Sequence, residues 1–137
     1  MADIDKEIDW RLRVFDSMSF PTIIFQPDKT IIAVNKRYLE KIGVDESLLI
    51  GRSCKEINRT YYPDQKFSCD SNGECPLTKT VQCRTGQSVL LKFSDAHGQI
   101  GWEERVFSPI LAANGEVDYV IESIRDVTRV KNLEKMY

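Results

Sequence analysis

The sequence has 137 residues, with 19 basic and 21 acidic side chains and a formal net charge of −2. This length predicts one domain, and the near balance of charge argues against a dedicated nucleic-acid-binding surface. No apolar run approaches the roughly 18 residues that cross a bilayer. The polar, acidic start predicts no signal peptide, no direct membrane insertion and a cytoplasmic location.

The chain opens with a predicted helix and a hairpin. Apolar residues recur at helical spacing among charged ones, which predicts an amphipathic helix of about four turns. Its apolar stripe consists of Ile4, Ile8, Leu12 and Phe15. A β-branched run at 22–25 and another at 30–34 flank Gln26-Pro27-Asp28-Lys29, whose turn chemistry predicts a hairpin.

Capping residues mark the next elements. Asn35 is the predicted N-cap of a helix that ends at Gly43, and Asp45 caps a further short turn. The apolar face of that helix carries Tyr38, Leu39 and Ile42. Residues 51–85 have poor periodicity and predict short helices, with Pro76 at a first helical position and Gly86 at the end.

Three strands and a helix complete the predicted order. Alternation predicts strands at 88–94, 102–111 and 117–124. Asn114-Gly115 predicts the hairpin between the last two, because both residues tolerate positive φ. One face of the first of these strands carries Val89, Leu91 and Phe93, and the closing helix carries Val127, Val130, Leu133 and Tyr137.

Several motifs in this order resemble the PAS family of sensor domains. They are Phe15 to Met18 at the opening, Val34-Asn35-Lys36-Arg37-Tyr38 after the hairpin, Ile50-Gly51-Arg52 before the short helices, Phe107-Ser108-Pro109-Ile110 in the penultimate strand and Asp126-Val127-Thr128 at the exit. Their common order and spacing extend the resemblance from about Val14 to Val130.

The resemblance implies an α+β fold with a five-stranded antiparallel sheet and short helices over one face. It implies an N-terminal flanking helix at 1–19, a sensory domain at 20–128 and the start of a C-terminal signalling helix at 129–137. It also implies a homodimer formed through the flanking helices. The expected effector is a bacterial histidine kinase, diguanylate cyclase or transcription regulator in the same polypeptide.

A ligand pocket between the sheet and the helices is a further implication. Alternation and family position select its candidate residues: Tyr38, Ile42, Ile57, Leu91, Phe93, Phe107 and Ile121. Most of these residues are equally compatible with an ordinary apolar core, and the pattern does not identify the ligand.

Four cysteines within 30 positions are the candidates for metal or redox chemistry: Cys54, Cys69, Cys75 and Cys83. Such a group in a cytoplasmic chain indicates a zinc or iron–sulfur site or a redox site, because thiolates are soft metal ligands and reactive thiols oxidise first. A subset of bacterial sensor domains is similar at Cys54, Cys69 and Cys75-Pro76-Leu77, and Cys83 is additional. Buried core cysteines and a bridge such as Cys69 to Cys75 are the alternatives.

Flavin and haem are disfavoured as cofactors. Gly51-Arg52-Ser53-Cys54 resembles the flavin-adduct segment of blue-light sensors. The family alignment, however, places Lys92, Glu103 and Ile124 where the flavin-binding amides stand, and these side chains do not replace those hydrogen bonds. The single histidine, His97, falls in a predicted turn rather than on the helix that precedes the third strand, where a haem ligand is expected.

The sequence carries no recognisable catalytic motif, so we expect a regulatory domain rather than an enzyme. It has no Gly-x-Ser-x-Gly elbow, phosphate-binding glycine loop or His-Glu-x-x-His segment. Two functions stay open. One is sensing of a small ligand or redox state, with relay through the flanking helices. The other is a ligand-free module for dimerisation and protein interaction.

Overall fold

A computed structural model describes residues 10, 12–62, 75–94 and 97–135. These residues contain a five-stranded antiparallel sheet in the spatial order β2-β1-β5-β4-β3. The strands are β1 (Thr22–Phe25), β2 (Ile31–Val34), β3 (Gln87–Ser94), β4 (Ile100–Leu111) and β5 (Val117–Asp126). The predicted α+β class and the predicted five strands are confirmed.

The helices lie before, between and after the strands. They are the described part of a first helix, residues 12–17 (α1), α2 (Lys36–Ile42), a 3₁₀ turn (Glu46–Leu48), α3 (Cys54–Tyr61), α4 (Pro76–Cys83) and α5 (Thr128–Lys135). Of the apolar positions predicted for the flanking helices, Ile4, Ile8 and Tyr137 lie outside the described residues.

The predicted caps are confirmed with one correction. Asn35 caps α2, Asp45 caps the 3₁₀ turn, and Pro76 is the first residue of α4. Gly86 does not end α4: Arg84 takes the left-handed C-cap conformation, with φ 58°. A side chain pays a small steric penalty there, which the hydrogen bond from the Arg84 N–H to the Thr80 carbonyl offsets.

In the turn between β4 and β5, only one of the two residues expected to tolerate positive φ adopts it. Gly115 has φ 85°, whereas Asn114 does not adopt positive φ. The Gly115 N–H donates to the Ala112 carbonyl and the Ala112 N–H donates to the Glu116 carbonyl. The hairpin is therefore present as predicted, but it closes through a longer turn with glycine alone in the left-handed region.

The helices cover one face of the sheet, which we call the inner face. The core lies between this face and the helices. Ile57 of α3 and Leu77 of α4 are buried against it, and α4 packs across β3, β4 and β5. The buried apolar residues are Ile23, Phe25, Ile31, Val34, Tyr38, Leu49, Ile57, Cys75, Leu77, Phe107, Val120 and Ile124.

Asn35 joins the N-terminal segment to the sheet and to α2. Its Oδ1 accepts from the backbone N–H groups of Thr22 and Tyr38, at 2.9 and 3.0 Å. Its Nδ2 donates to the carbonyls of Phe20 and Phe15, at 2.9 and 3.3 Å. The side chain is fully buried, so these bonds satisfy groups that water does not reach.

Within the described part of the chain, no helix has both the length and the apolar character required to cross a membrane.

Candidate functional site

The inner face of β4 and β5 buries a cluster of charged side chains. Arg105 donates from Nη1 to Glu122 at 3.3 Å and from Nη2 to Glu103 at 3.2 Å. All three residues are at most 7% exposed. Lys41 of α2 forms an ion pair with the other Glu103 oxygen from a partly exposed position. We call Lys41, Glu103, Arg105 and Glu122 the charge cluster, and its formal charge is zero when all four groups are ionised.

Strand alternation and register explain this arrangement. Glu103, Arg105 and Phe107 occupy every second position of β4 and therefore share one face. In β5 the buried residue Glu122 lies opposite Phe107. This register places Glu122 diagonally across from Arg105, within reach of its long guanidinium side chain.

Burial and opposite charges act against each other in this cluster. Burial raises the pKa of Glu122, and the neighbouring guanidinium of Arg105 only partly offsets that effect. Burial acts to lower the pKa of Arg105, but the carboxylates of Glu122 and Glu103 together raise it. Arg105 therefore stays charged, while Glu122 is the member of the pair that takes up a proton more readily than an exposed glutamate.

Two tyrosines border the charge cluster. The guanidinium carbon of Arg105 lies 5.7 Å from the ring centroid of Tyr62, the residue that follows α3. Burial raises the pKa of Tyr62, and it raises the pKa of Tyr38 in α2 further. Both phenols are therefore neutral at physiological pH and retain a hydroxyl proton to donate.

A cavity of about 30 Å³ lies beside the charge cluster. Its walls come from α3, α4 and the three long strands: Cys54, Asn58, Cys75, Pro76, Leu77, Val89, Leu91, Arg105, Phe107 and Glu122. A cavity of this size holds about one water molecule, whereas pockets for organic ligands measure about 300–1,000 Å³.

The structure places the predicted pocket residues in several environments. Leu91 and Phe107 line the cavity. Tyr38 and Ile57 are buried in the core, and Ile42 packs against it from a partly buried position. A functional role for these five residues stays a prediction.

Phe93 and Ile121 lie elsewhere on the sheet. The Phe93 ring covers Gly101, where an added Cβ would stand only 2.3 Å from Phe93 Cζ. The placement of Ile121 in the pocket is wrong, because Ile121 alternates with the buried residues Val120 and Glu122 and so lies on the opposite face. Glu122 occupies the position toward the helices.

Two of the four cysteines meet at the cavity. Cys54, the first residue of α3, and Cys75, the N-cap of α4, both line it. Cys83 is exposed at the end of α4, and Cys69 lies outside the described residues. Among the residues that the structure describes, no group of three or more side chains is placed to hold a metal ion. A zinc or iron–sulfur site that includes Cys69 stays a prediction.

The three residues that the family alignment places at the flavin-binding amides lie on two different faces of the sheet. Glu103 and Ile124 are buried on the inner face. Lys92 lies on the outer face, where its Nζ is 5.6 Å from the centroid of the Trp102 ring. His97 is exposed in the loop after β3, as its predicted position in a turn implies.

Hydrogen bonds connect β4 to the exit helix α5 and to the residue that precedes it. The Val127 N–H donates to the Trp102 carbonyl at 2.9 Å, and the Trp102 N–H donates to Thr128 Oγ1 at 2.9 Å. The Thr128 N–H donates to Asp126 Oδ1, and the hydrogen bonds from Thr128 lower the pKa of Asp126. We call Trp102, Asp126, Val127 and Thr128 the exit latch.

Sequence reasoning did not identify Arg105, Glu122, Lys41 or Tyr62 as site residues. A signal was present in β4, because Glu103 and Arg105 share the alternation of Phe107, a predicted inward residue. In β5, apolar residues stand on both faces and concealed the inward position of Glu122. The contributions of Lys41 and Tyr62 depend on helix packing, which no local pattern reports.

Comparisons with known proteins agree with this architecture. The family model described as PAS fold matches residues 15–132, and no curated protein gives a significant match. The PAS domain of a protein from Colwellia psychrerythraea is 20% identical, covers 89% of this chain and 98% of that one, and superposes with a TM-score of 0.64.

Two further structures are similar in fold. A sensory box sensor histidine kinase from Vibrio cholerae is 17% identical over 93% of this chain and 96% of that one, with a TM-score of 0.61. The Rhodobacter sphaeroides LOV protein is 15% identical over 93% of this chain and 70% of that one, with a TM-score of 0.66. At these identities the likeness concerns the fold.

Proposed function

This chain belongs to the PAS family, and from that premise we propose that it is the sensory and regulatory domain of a bacterial signalling protein. A small ligand or a change of redox state acts at the cavity beside the charge cluster. The flanking helices carry the change to an effector in the same polypeptide, such as a histidine kinase, a diguanylate cyclase or a transcription regulator.

The charge cluster is the observation that carries this proposal. Burying ionised groups costs several kcal/mol per ion before pairing is counted, and apolar residues of similar volume often give equal or greater stability. Arg105, Glu103 and Glu122 nevertheless lie at most 7% exposed beside a cavity with two thiols. Perturbed ionisable groups gathered at a cavity are typical of functional sites.

A direct connection joins this cluster to the end of the domain. Glu103 follows Trp102 in β4, and the backbone of Trp102 holds α5 through Val127 and Thr128. Lys41 pairs with Glu103 and also contributes to the lowered pKa of Asp126. A shift of Glu103 toward or away from Arg105 therefore moves the strand to which the exit latch is attached.

The energies suit a relay of this kind. The described exit helix has eight residues, and isolated helices shorter than about 12–15 residues are marginal in water. A coupling of about 1–3 kcal/mol is typical between two communicating sites, which is enough to change how such a helix packs. Exposed apolar side chains on the flanking helices are available to a second copy in the proposed homodimer: Leu12, Val14, Val130 and Leu133.

Hydrogen exchange of α5 tests the relay in the 137-residue chain. We expect Glu103→Gln to accelerate exchange of amides 128–135 at least about fivefold, which corresponds to a coupling of about 1 kcal/mol. Glu104→Gln is the matched control, since Glu104 is the neighbouring glutamate on the other face of the same strand. Equal exchange in the two variants would contradict the proposed relay.

The small volume of the cavity favours a second candidate function, a ligand-free dimerisation and protein-interaction module. A cavity of about 30 Å³ holds about one water molecule, whereas pockets for organic ligands are about tenfold larger or more. Mass spectrometry of the denatured protein and sedimentation equilibrium separate the two functions. A bound small molecule supports sensing of a ligand, whereas a dimer whose α5 exchange responds to neither ligand nor oxidant supports the interaction module.

A further inference from the structure

Two thiols that lie 21 positions apart in the chain border one small cavity. Cys54 begins α3 and Cys75 precedes α4, and both line the space of about 30 Å³ beside Arg105. Asn58 Nδ2 lies 3.7 Å from Cys54 Sγ, within hydrogen-bonding distance for sulfur. The pair thus brings two thiols and a neighbouring hydrogen-bond donor to one space, which is the arrangement that dithiol chemistry requires.

Each thiol stands at the amino end of an eight-residue helix, where the helix dipole provides partial positive charge. The cavity that both thiols border is also lined by the cation Arg105 and by Glu122. A helix N-terminus and a neighbouring guanidinium are two features that occur around reactive cysteines.

We propose that Cys54 and Cys75 form a redox-active dithiol that a peroxide oxidises to a disulfide. This deepens the proposed function, on which its signalling consequence rests, by naming the input as oxidation and the responding residues. Cys54 is partly exposed and Cys75 is 6% exposed, which makes Cys54 the residue that a peroxide meets first and Cys75 the resolving residue.

The chemistry has two steps. The Cys54 sulfur attacks one peroxide oxygen, the O–O bond breaks, and the leaving oxygen takes a proton and departs as water or an alcohol, which leaves a sulfenic acid. The Cys75 sulfur then attacks the Cys54 sulfur, the S–O bond breaks, and a second molecule of water leaves. The two thiols lose two electrons in total, and the peroxide gains two.

The disulfide would join the start of α3 to the start of α4 beside the charge cluster. An S–S bond of about 2.05 Å fixes the Cα atoms about 4.4–6.8 Å apart, so any change in their separation on oxidation displaces α4 relative to α3. Because α4 packs across β3, β4 and β5, its displacement bears on the strands that hold Arg105 and Glu122. Oxidation would thereby reach the exit latch through the same strands.

Non-reducing peptide mapping tests the proposal. The chain in a Cys69→Ser, Cys83→Ser background, which retains only Cys54 and Cys75, is treated with hydrogen peroxide, alkylated and digested with trypsin. We expect a linkage between the peptides 53–55 and 67–79 and the loss of two free thiols per chain. Wild type is expected to give the same linkage, and Cys54→Ser and Cys75→Ser are expected to abolish it.

The absence of this linkage in that background, with both thiols still alkylated after peroxide, would overturn the proposal. In wild type, a bridge within peptide 67–79 would instead assign Cys75 to Cys69. Hydrogen exchange of α5 distinguishes failure of the proposed dithiol from failure of the proposed relay. A formed linkage with unchanged α5 exchange overturns the relay and keeps the dithiol, whereas an α5 response to Glu103→Gln without any linkage keeps the relay and overturns the dithiol.

Discussion

The inner face of β1 and β2 buries aliphatic and aromatic side chains, whereas the inner face of β4 and β5 buries two carboxylates and a guanidinium. We call β1 and β2 the apolar half, because its inner-face residues Ile23, Phe25, Ile31 and Val34 are all at most 5% exposed. We call β4 and β5 the charged half, because it carries Glu103, Arg105 and Glu122, which are at most 7% exposed. Both halves belong to one continuous sheet and contribute to one core.

The difference separates the source of stability from the proposed site of function. A fully buried aliphatic or aromatic side chain contributes about 1.5–3 kcal/mol relative to an exposed one. A buried ion pair often contributes no net stability relative to apolar side chains of the same volume. The apolar half therefore contributes more of the stability. The charged half contributes less, but it carries ionisable groups that respond to their surroundings.

The largest expected effect comes from removing the buried cation Arg105. Arg105→Met leaves Glu103 and Glu122 buried without their common partner, and we expect a loss of about 3–5 kcal/mol of unfolding free energy. Urea unfolding at pH 7 measures it. Arg125→Met, at an exposed arginine of β5 that stacks over Phe20, is the control and should lose less than about 1 kcal/mol.

Replacing the entire buried group sharpens the same comparison. The triple variant Arg105→Met, Glu103→Leu, Glu122→Leu makes the charged half resemble the apolar half. It is expected to recover most of the stability that Arg105→Met loses, because no buried charge is left without its partner. A triple variant less stable than Arg105→Met would show that the charge cluster stabilises the fold in its own right.

The apolar half also contains buried polar groups, but these are neutral and fully hydrogen-bonded. Asn35→Ala removes four such bonds and leaves the N–H groups of Thr22 and Tyr38 buried without that acceptor. We expect a loss of about 2–3 kcal/mol in thermal or urea unfolding. Asp45→Ala, at an exposed N-cap that accepts from the Ser47 N–H, is the control and should lose less stability than Asn35→Ala.

A pH series distinguishes the two halves through Glu122. Its folded-state pKa lies above its ordinary value of 4.5. Between those two values the unfolded chain releases the proton and the folded chain retains it. The stability that this group contributes is therefore complete below pH 4.5 and falls as the pH rises toward the folded pKa.

The variant Glu122→Gln lacks this titration. The unfolding free energy of wild type relative to Glu122→Gln should therefore fall as the pH rises above 4.5, by about 1.4 kcal/mol for each unit by which the pKa is raised. Urea unfolding of both proteins from below pH 4.5 up to pH 8 measures the difference. A difference that rises with pH below 4.5 and stays nearly constant above it would mean that Arg105 outweighs burial and that the pKa of Glu122 is lowered instead.

The smallest effect is expected from an ion pair outside both halves. Arg84 and Glu116 approach to 2.7 Å, but their side chains are 51% and 64% exposed. Solvent screening limits such a pair to less than about 1 kcal/mol. A double-mutant cycle of Arg84→Ala and Glu116→Ala measures the coupling, and a value comparable to the Arg105 effect would remove the distinction between buried and exposed pairs.

Elements fixed by neighbouring residues were predictable from the sequence. Asn35 and Asp45 cap their helices because a side-chain oxygen reaches a backbone N–H two or three positions ahead. Val89, Leu91 and Phe93 share a face because alternation is a local property of a strand. The discrepancy at the end of α4 was also local: Arg84 adopts the left-handed conformation that glycine prefers.

The candidate site was less predictable, because its residues come from elements that are far apart in the chain. Alternation in β5 permitted either face to point inward, since Tyr119 and Ile121 on one face are as apolar as Val120 and Ile124 on the other. Pairing with β1 and β4 resolved this and buried Glu122. The sequence showed four cysteines close together but did not indicate that Cys54 and Cys75 are the two that border one cavity.

The sequence by itself determined the order of elements, their caps and turns and the membership of the chain in the PAS family, because these depend on residues close together in the chain and on a pattern of motifs. Only the tertiary structure decided that Lys41 and Arg105 meet Glu103, that Arg105 also meets Glu122 and that two thiols face the same cavity. Strand register and helix packing set those distances, and both arise from burial and pairing between segments far apart in sequence.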